Sequence, residues 1–286
     1  MRLSVLDNGH RLRARLFLRA TSRDAPDIVR LLLYRPGFFA RPLLAITAPA
    51  MRGESYWTPA EREYLAMTTA RLHECPFCLD THTEMVRIAG HGEVDPADPA
   101  SARPELRAVR VFLDALHRDP DAATPPDGVP DAAVREALRV NLIWDVVNRL
   151  ANAFGCTLRG DQLHSGTRAL HRFGYRFPGF LLADGNGAGG ADPVADLRHA
   201  VFDAPARTTV ELRRSAVTGN GLAEPWASYT ATVRDSSYRI TDAEVTRLVD
   251  QYGEDDVYEV TVAAAVGAAL ATYDAGIRSV EPAPQE

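Results

Sequence analysis

The chain has 286 residues, of which 46% are hydrophobic and 24% are charged, and its net charge is −6. This composition is typical of a globular protein, and its acidic balance gives no support to nucleic acid as a partner. Three cysteines in a chain of this length do not form the disulfide framework of a small secreted protein.

The N-terminal part of the chain predicts two helices followed by a buried segment. Residues 12–20 mix arginine and leucine and predict a helix with a solvated basic face, although such a face could also touch a membrane or a partner. Residues 24–33 predict a second helix, and residues 38–51 are apolar enough to be buried. Arginines interrupt the first residues, so we expect no secretion signal and a cytoplasmic location.

Residues 58–90 predict two consecutive helices, and the first has a clear start. Thr58 is a good N-cap, and Pro59 suits the first helical position. Glu61 occupies the place where a capping box puts its acidic residue. The apolar pattern carries this helix to about Leu72.

The second helix of this pair begins at a Cys-x-x-Cys motif. Pro76 is predicted at the first helical position, which makes Cys75 the N-cap and puts Cys78 in the first turn. Gly90 is expected to end the helix as a C-terminal glycine. Because a helix N-terminus stabilises negative charge, this placement favours a thiolate and a reversible disulfide.

A histidine and a glutamate are candidate partners of the cysteine pair. His82 follows Cys78 by four residues and shares its helix face, so it could exchange a proton with the thiol. Glu63 would lie roughly 18 Å from Cys75 on one straight helix, so it reaches the pair only if the chain folds back near residues 73–74. We expect Glu63 to be semi-buried, with a raised pKa that suits a proton relay.

Two other interpretations of the cysteine pair stay open from the residues alone. Cys75 and Cys78 could be small core residues. They could instead supply half of a zinc site, with His82 as a third ligand and His73 or His91 as a fourth. No second cysteine pair completes such a site.

The rest of the first unit predicts three more helices. They cover residues 105–117, 131–154 and 161–173, and Gly155 ends the second of them. The asparagines of the long helix are expected to hydrogen-bond a neighbouring helix, and Cys156 is expected to be a buried small residue.

A glycine-rich stretch at residues 177–191 predicts a linker between two units, residues 1–176 and residues 192–286. No strand precedes its glycines, so a dinucleotide-binding motif is excluded. The second unit predicts helices at residues 205–217, 225–234, 242–252 and 255–277. Its tract at residues 260–273 is too short for a membrane span of about 20 residues and predicts a packed helix. No strand pattern occurs, so the predicted fold class is all-α.

The four candidate site residues carry a resemblance to a known family. Glu63, Cys75, Cys78 and His82 have the spacing of the active-site signature of the alkylhydroperoxidase D-like proteins, in the carboxymuconolactone decarboxylase superfamily. Residues 141–155 resemble the family's helix after the active site, so the resemblance spans roughly residues 55–175. The best-known peroxidase members carry a histidine just before the second cysteine, where this chain has Phe77.

The resemblance implies a homo-oligomeric helical bundle, with residues 192–286 as a degenerate repeat for packing or assembly. It implies reduction of a hydroperoxide substrate, in which Cys78 attacks the peroxide and Cys75 resolves the product. Glu63 and His82 would form the proton relay, and a dithiol reductant would reset the disulfide. It implies no metal and no organic cofactor. The acidic net charge and the lack of a membrane-length apolar run predict no nucleic-acid or membrane partner. The alternative is a redox-sensing or disulfide-exchange module without a peroxide substrate.

Overall fold

The computed structural model describes residues 1–20, 25–183 and 190–281, and within these residues the protein is all-α, with no strand. This confirms the predicted fold class. The helices are α1 Val5–Asn8, α2 Leu12–Ala20, α3 Asp27–Tyr34, α4 Ala40–Arg52, α5 Pro59–Leu72, α6 Pro76–Gly90, α7 Pro104–Arg118, α8 Asp131–Phe154, α9 Gln162–Phe173, α10 Gly179–Leu182, α11 Pro193–Phe202, α12 Val210–Thr218, α13 Trp226–Ser236, α14 Asp242–Tyr252 and α15 Glu254–Ser279.

Strong start and stop signals predicted helix boundaries well. The capping box of α5 forms as expected, because Thr58 accepts from the N–H of Glu61 while the Glu61 side chain accepts from the N–H of Thr58. Gly155 ends α8 in the left-handed conformation. The short helices α1 and α10, and helix α11, were not predicted. Residues 184–189 of the glycine-rich stretch lie outside the described residues.

The centre of the fold is formed by α8 and α15, which lie side by side. Most residues along both helices are buried. Gly276 of α15 permits the close approach, because a Cβ there would lie 2.3 Å from Cδ2 of Leu138. The main hydrophobic cluster includes residues from both predicted units, and a smaller cluster lies between α2, α3 and α10. The division into two units and the repeat stay predictions.

Helix α15 was expected to be a packed core helix. Among the described helices it alone is long and apolar enough to cross a membrane by length and composition, and 72% of its most apolar window is buried inside the protein. This degree of burial is typical of a core helix in a globular protein.

Helices α5 and α6 form an antiparallel pair, and the fold-back predicted near residues 73–74 is confirmed. The chain reverses at Glu74, whose φ of 48° is left-handed, and the N–H of Cys75 donates to the carbonyl of Ala70 at 3.0 Å. Gly90 does not take the left-handed position expected of it, since His91 does so with φ 44°. Gly90 is the last residue of α6 and lies against Ala60, whose Cβ would be 2.5 Å from a Cβ at position 90.

Candidate active site

The two cysteines lie at the N-terminus of α6, as predicted, and both are buried. Cys75 is the N-cap and 1% exposed, and Cys78 in the first turn is 2% exposed. The Cys78 thiol and the N–H groups at the helix N-terminus lower the pKa of Cys75, although burial opposes them. Burial and the neighbouring Cys75 raise the pKa of Cys78. The pair therefore favours a thiolate at Cys75 and a protonated thiol at Cys78.

His82 and Glu63 meet because α6 folds back along α5. Nδ1 of His82 lies 2.8 Å from Oε2 of Glu63, and both side chains are almost completely buried. The second ring nitrogen, Nε2, is buried and has no hydrogen-bond partner among the described residues. A carboxylate on Nδ1 fixes the proton there, so Nε2 is the nitrogen left to accept a proton.

Glu63 accepts hydrogen bonds from two further side chains. Nη2 of Arg52 lies 2.5 Å from Oε1, and the hydroxyl of Tyr175 donates to both carboxylate oxygens at 2.9 Å. Burial alone would raise the pKa of Glu63, but the hydrogen bond and charge of His82, together with Arg52, outweigh it and lower the pKa. The expected raised pKa of Glu63 is therefore wrong, and the glutamate is held as a carboxylate.

A short turn after α9 brings Tyr175 to this carboxylate. Gly174 and Tyr175 both have left-handed backbone conformations, with φ 59° and φ 63°. Such a conformation is costly for a tyrosine, so the surrounding contacts must compensate for it. The ring of Tyr175 lies 5.0 Å from the guanidinium carbon of Arg52, and burial and the nearby Glu63 raise the pKa of its hydroxyl. Tyr175 is thereby kept as a hydrogen-bond donor.

An apolar cavity of about 140 Å³ opens beside the thiol and the imidazole. Cys78, His82 and Tyr175 line it, whereas Cys75 does not. Its volume is close to that of an apolar cavity of about 150 Å³ that can hold a benzene-sized molecule. Most of its other wall residues are aliphatic or aromatic side chains from α3, α4, α6, α8 and α9, among them Leu32, Leu43, Phe77, Ile143, Trp144 and Leu170.

A second cavity of about 460 Å³, the outer cavity, adjoins the first. The two share wall residues, including Val29, Leu170 and Phe177. The outer cavity is lined at its far side by Phe17 of α2 and Phe173 of α9. The outer cavity therefore adjoins the cavity that Cys78 lines and extends to side chains of α2 and α9.

A separate cluster of two histidines and an aspartate has the donor atoms that a metal ion would need. Within the described residues it is the one group whose three donor atoms, from His73, His117 and Asp145, lie within 4.8 Å of one another. Arg149 donates to Asp145, and charges from Arg149 and Arg110 act on the histidines, so the surroundings oppose a divalent cation. The zinc set considered for the cysteines does not assemble, since His73 contacts Asp145 and His91 is exposed.

All four predicted site residues come together, although Glu63 is fully buried rather than semi-buried. Sequence reasoning missed Arg52 and Tyr175, which lie far from the motif in the chain, and Trp144, whose ring centroid lies 4.0 Å from that of His82. No local pattern marks them, because their roles depend on how α4, α8 and α9 pack. Comparison with known proteins found no match, either to a protein-family model or to a curated protein.

Proposed function

We propose that this protein reduces hydroperoxides with the Cys75–Cys78 pair, in the manner of the alkylhydroperoxidase D-like proteins that its motif resembles. The observation that carries the proposal is the placement of His82. One of its nitrogens is held by a buried carboxylate, while the other is unpartnered, and the ring lines an apolar cavity together with the Cys78 thiol. This arrangement suits a general base beside a nucleophile.

The first half of the reaction uses the thiol that lines the cavity. Since burial keeps Cys78 protonated, it needs a base, and Nε2 of His82 takes its proton. The thiolate attacks the outer oxygen of the hydroperoxide, and the O–O bond breaks. The departing alkoxide takes the proton from His82 and leaves as an alcohol, and Cys78 becomes a sulfenic acid.

The second half of the reaction uses Cys75, which does not line the cavity. The Cys75 thiolate attacks the sulfur of Cys78 and displaces hydroxide, which leaves as water once protonated. The product is the Cys75–Cys78 disulfide, and a dithiol reductant returns it to two thiols. The lowered pKa of Cys75 supports this resolving role.

Glu63 supports the base rather than carrying the proton itself. As a carboxylate it orients His82 and stabilises the imidazolium that forms during proton transfer, as the acid does in a catalytic triad. Arg52 and Tyr175 hold the carboxylate in place. The Glu63–His82 pair thus acts as a proton relay in which His82 alone changes its protonation state.

The burial of Cys75 and Cys78 argues against the alternative of a disulfide-exchange module. Both sulfurs are almost inaccessible from the surface, and Cys78 is reached through an apolar cavity. A small apolar substrate fits such a route better than the thiol of another protein. The sequence resemblance also supports a cytoplasmic homo-oligomer, which remains part of the proposal.

The test is mass spectrometry of the reduced protein after a stoichiometric pulse of cumene hydroperoxide, with free thiols alkylated immediately afterwards. We expect a Cys75–Cys78 disulfide within seconds. Cys78→Ser should consume no peroxide, and Cys75→Ser should accumulate a sulfenic acid at Cys78. The matched control is Cys156→Ser, which removes a buried cysteine that does not line the cavity and should react as the wild type does. Full alkylation of Cys75 and Cys78 after the pulse would refute the proposal.

A further inference from the structure

Positive charge is concentrated in two short segments of an otherwise acidic chain. Residues 11–20 and 162–183 contain no aspartate or glutamate, although the whole chain has a net charge of −6. They contain seven arginines, Arg11, Arg13, Arg15, Arg19, Arg168, Arg172 and Arg176. All seven are exposed. Among the ion pairs of the described residues, Asp161 lies 4.0 Å from Arg168 and Glu84 lies 3.6 Å from His164.

The two segments form one surface, which we name the basic cap and define as residues 11–20 and 162–183; it contains α2, α9 and α10. Helix α2 packs on α10 through a small apolar cluster that includes Leu18 and Leu181. Phe17 of α2 and Phe173 of α9 line the same outer cavity. The basic cap therefore borders the outer cavity, which adjoins the cavity that Cys78 lines.

Large apolar side chains are exposed on the same surface. Of the seven large hydrophobic residues that are exposed in the described part of the chain, four belong to the basic cap. They are Leu12, Leu16, Phe173 and Phe180, exposed by 62%, 55%, 61% and 54%.

Helical geometry places two of these side chains on the exposed face of α2. Leu12 and Leu16 are four residues apart and share one face of α2, opposite the buried Ala14 and Leu18. The exposed arginines of α2 flank the two leucines. Leucine and phenylalanine surrounded by arginine is the composition of helices that lie in the interface of an anionic membrane.

We propose that the basic cap docks on the surface of an anionic lipid bilayer and that hydroperoxides of lipid acyl chains reach Cys78 through the two cavities. The arginines match anionic headgroups, and the exposed leucines and phenylalanines match the boundary of the acyl region. A nucleic acid would use the arginines but not the aliphatic side chains. Docking leaves α15 inside the protein. The choice of substrate rests on the proposed peroxide chemistry, whereas the docking does not.

The docking test is sedimentation of the full chain with vesicles of phosphatidylcholine alone or enriched in phosphatidylserine. The cap variant carries Arg13→Gln, Arg15→Gln and Arg19→Gln, and the charge-matched control carries Arg118→Gln, Arg247→Gln and Arg278→Gln, all exposed positions. We expect binding to the anionic vesicles only, lost at about 1 M salt. The cap variant should bind about 100-fold more weakly, since each arginine near such a surface contributes about fivefold, and the control variant should bind as the wild type does.

Apolar contact is tested separately from charge. Phe180→Ser should weaken binding to anionic vesicles, while Val111→Ser, at an equally exposed position outside the basic cap, should not. No binding to anionic vesicles overturns the proposal. Equal binding by the cap and control variants overturns it as well. Binding of a single-stranded oligonucleotide by the wild type, without vesicle binding, would identify a nucleic-acid surface instead.

The substrate part is tested by comparing two hydroperoxides. The cap variant should oxidise Cys78 normally with cumene hydroperoxide in solution and more slowly with phospholipid hydroperoxide in anionic vesicles. If the cap variant and the wild type oxidise Cys78 at equal rates with each of the two substrates, delivery from the bilayer is refuted. Vesicle binding without reaction with either substrate would refute the peroxide chemistry and leave the docking surface standing.

Discussion

Replacement of Tyr175 by phenylalanine tests how the site keeps its carboxylate charged. The Tyr175 hydroxyl donates to both oxygens of Glu63 at 2.9 Å, and Glu63 is fully buried. A hydrogen bond to a charged group contributes about 1.5–3 kcal/mol, so we expect Tyr175→Phe to lower the free energy of unfolding by about that amount at neutral pH. Chemical denaturation in urea measures it.

The same substitution should move a pH profile. Loss of this hydrogen bond to the charged form raises the pKa of Glu63. The folded-state pKa of Glu63 is lowered, so its stabilising effect is present above the unfolded pKa and is lost as pH falls through the folded pKa. As the pH is lowered, the variant should therefore lose both stability and the rate of Cys78 oxidation at a higher pH than the wild type does.

Tyr34→Phe is the matched control for Tyr175→Phe. The Tyr34 hydroxyl also donates to a carboxylate, Asp255, at 2.5 Å, but it lies outside the cavity. It should lower stability without changing the pH profile of Cys78 oxidation, followed by rapid-mixing fluorescence or quenched alkylation. An unshifted profile in Tyr175→Phe, or an equal shift in Tyr34→Phe, would refute the reasoning.

Two further predictions concern the framework around the site. Burial lowers the pKa of His117 from 6.5 to about 4, so the unfolded chain takes up this proton first and stability falls as pH decreases across that window. His117→Asn should reduce this loss of stability at low pH by at most about 3 kcal/mol. Urea unfolding at several pH values measures the loss, and an unchanged loss would contradict the role given to His117. Gly90→Ala should destabilise the α5–α6 pair by about 1–3 kcal/mol in thermal unfolding, because its Cβ would overlap Ala60. Gly179→Ala, where a Cβ meets nothing within 4 Å, is the control, and equal effects of the two would contradict the steric explanation.

Local signals in the sequence predicted much of the framework. The capping box at Thr58, Pro76 at the start of α6 and Gly155 after α8 each fix a boundary through the backbone groups of a few neighbouring residues. The fold-back at Glu74 followed from the same reasoning, because Pro76 requires a new helix start. These features depend on short-range chemistry, which the sequence records directly.

Features that depend on packing between distant elements were not predicted. The pKa of Glu63 was given the wrong direction because Arg52 and Tyr175, which hold it as a carboxylate, lie on other elements. Gly90 was assigned to a helix cap, whereas its lack of a Cβ serves contact with Ala60. In both cases the relevant neighbour is distant in the chain, and no periodicity or spacing identifies it.

The convergence of several helices on Glu63 ties the chemistry of the thiols to completion of folding. The carboxylate is on α5, its donors come from α4, α6 and the turn after α9, and the thiols begin α6. A chain emerging from the ribosome, or one in which α9 has opened locally, has the cysteines but not the oriented base beside them. Such a chain should resemble an ordinary dithiol peptide in its reactivity. In the proposed mechanism, the base beside Cys78 is complete only when the last supporting side chain has docked.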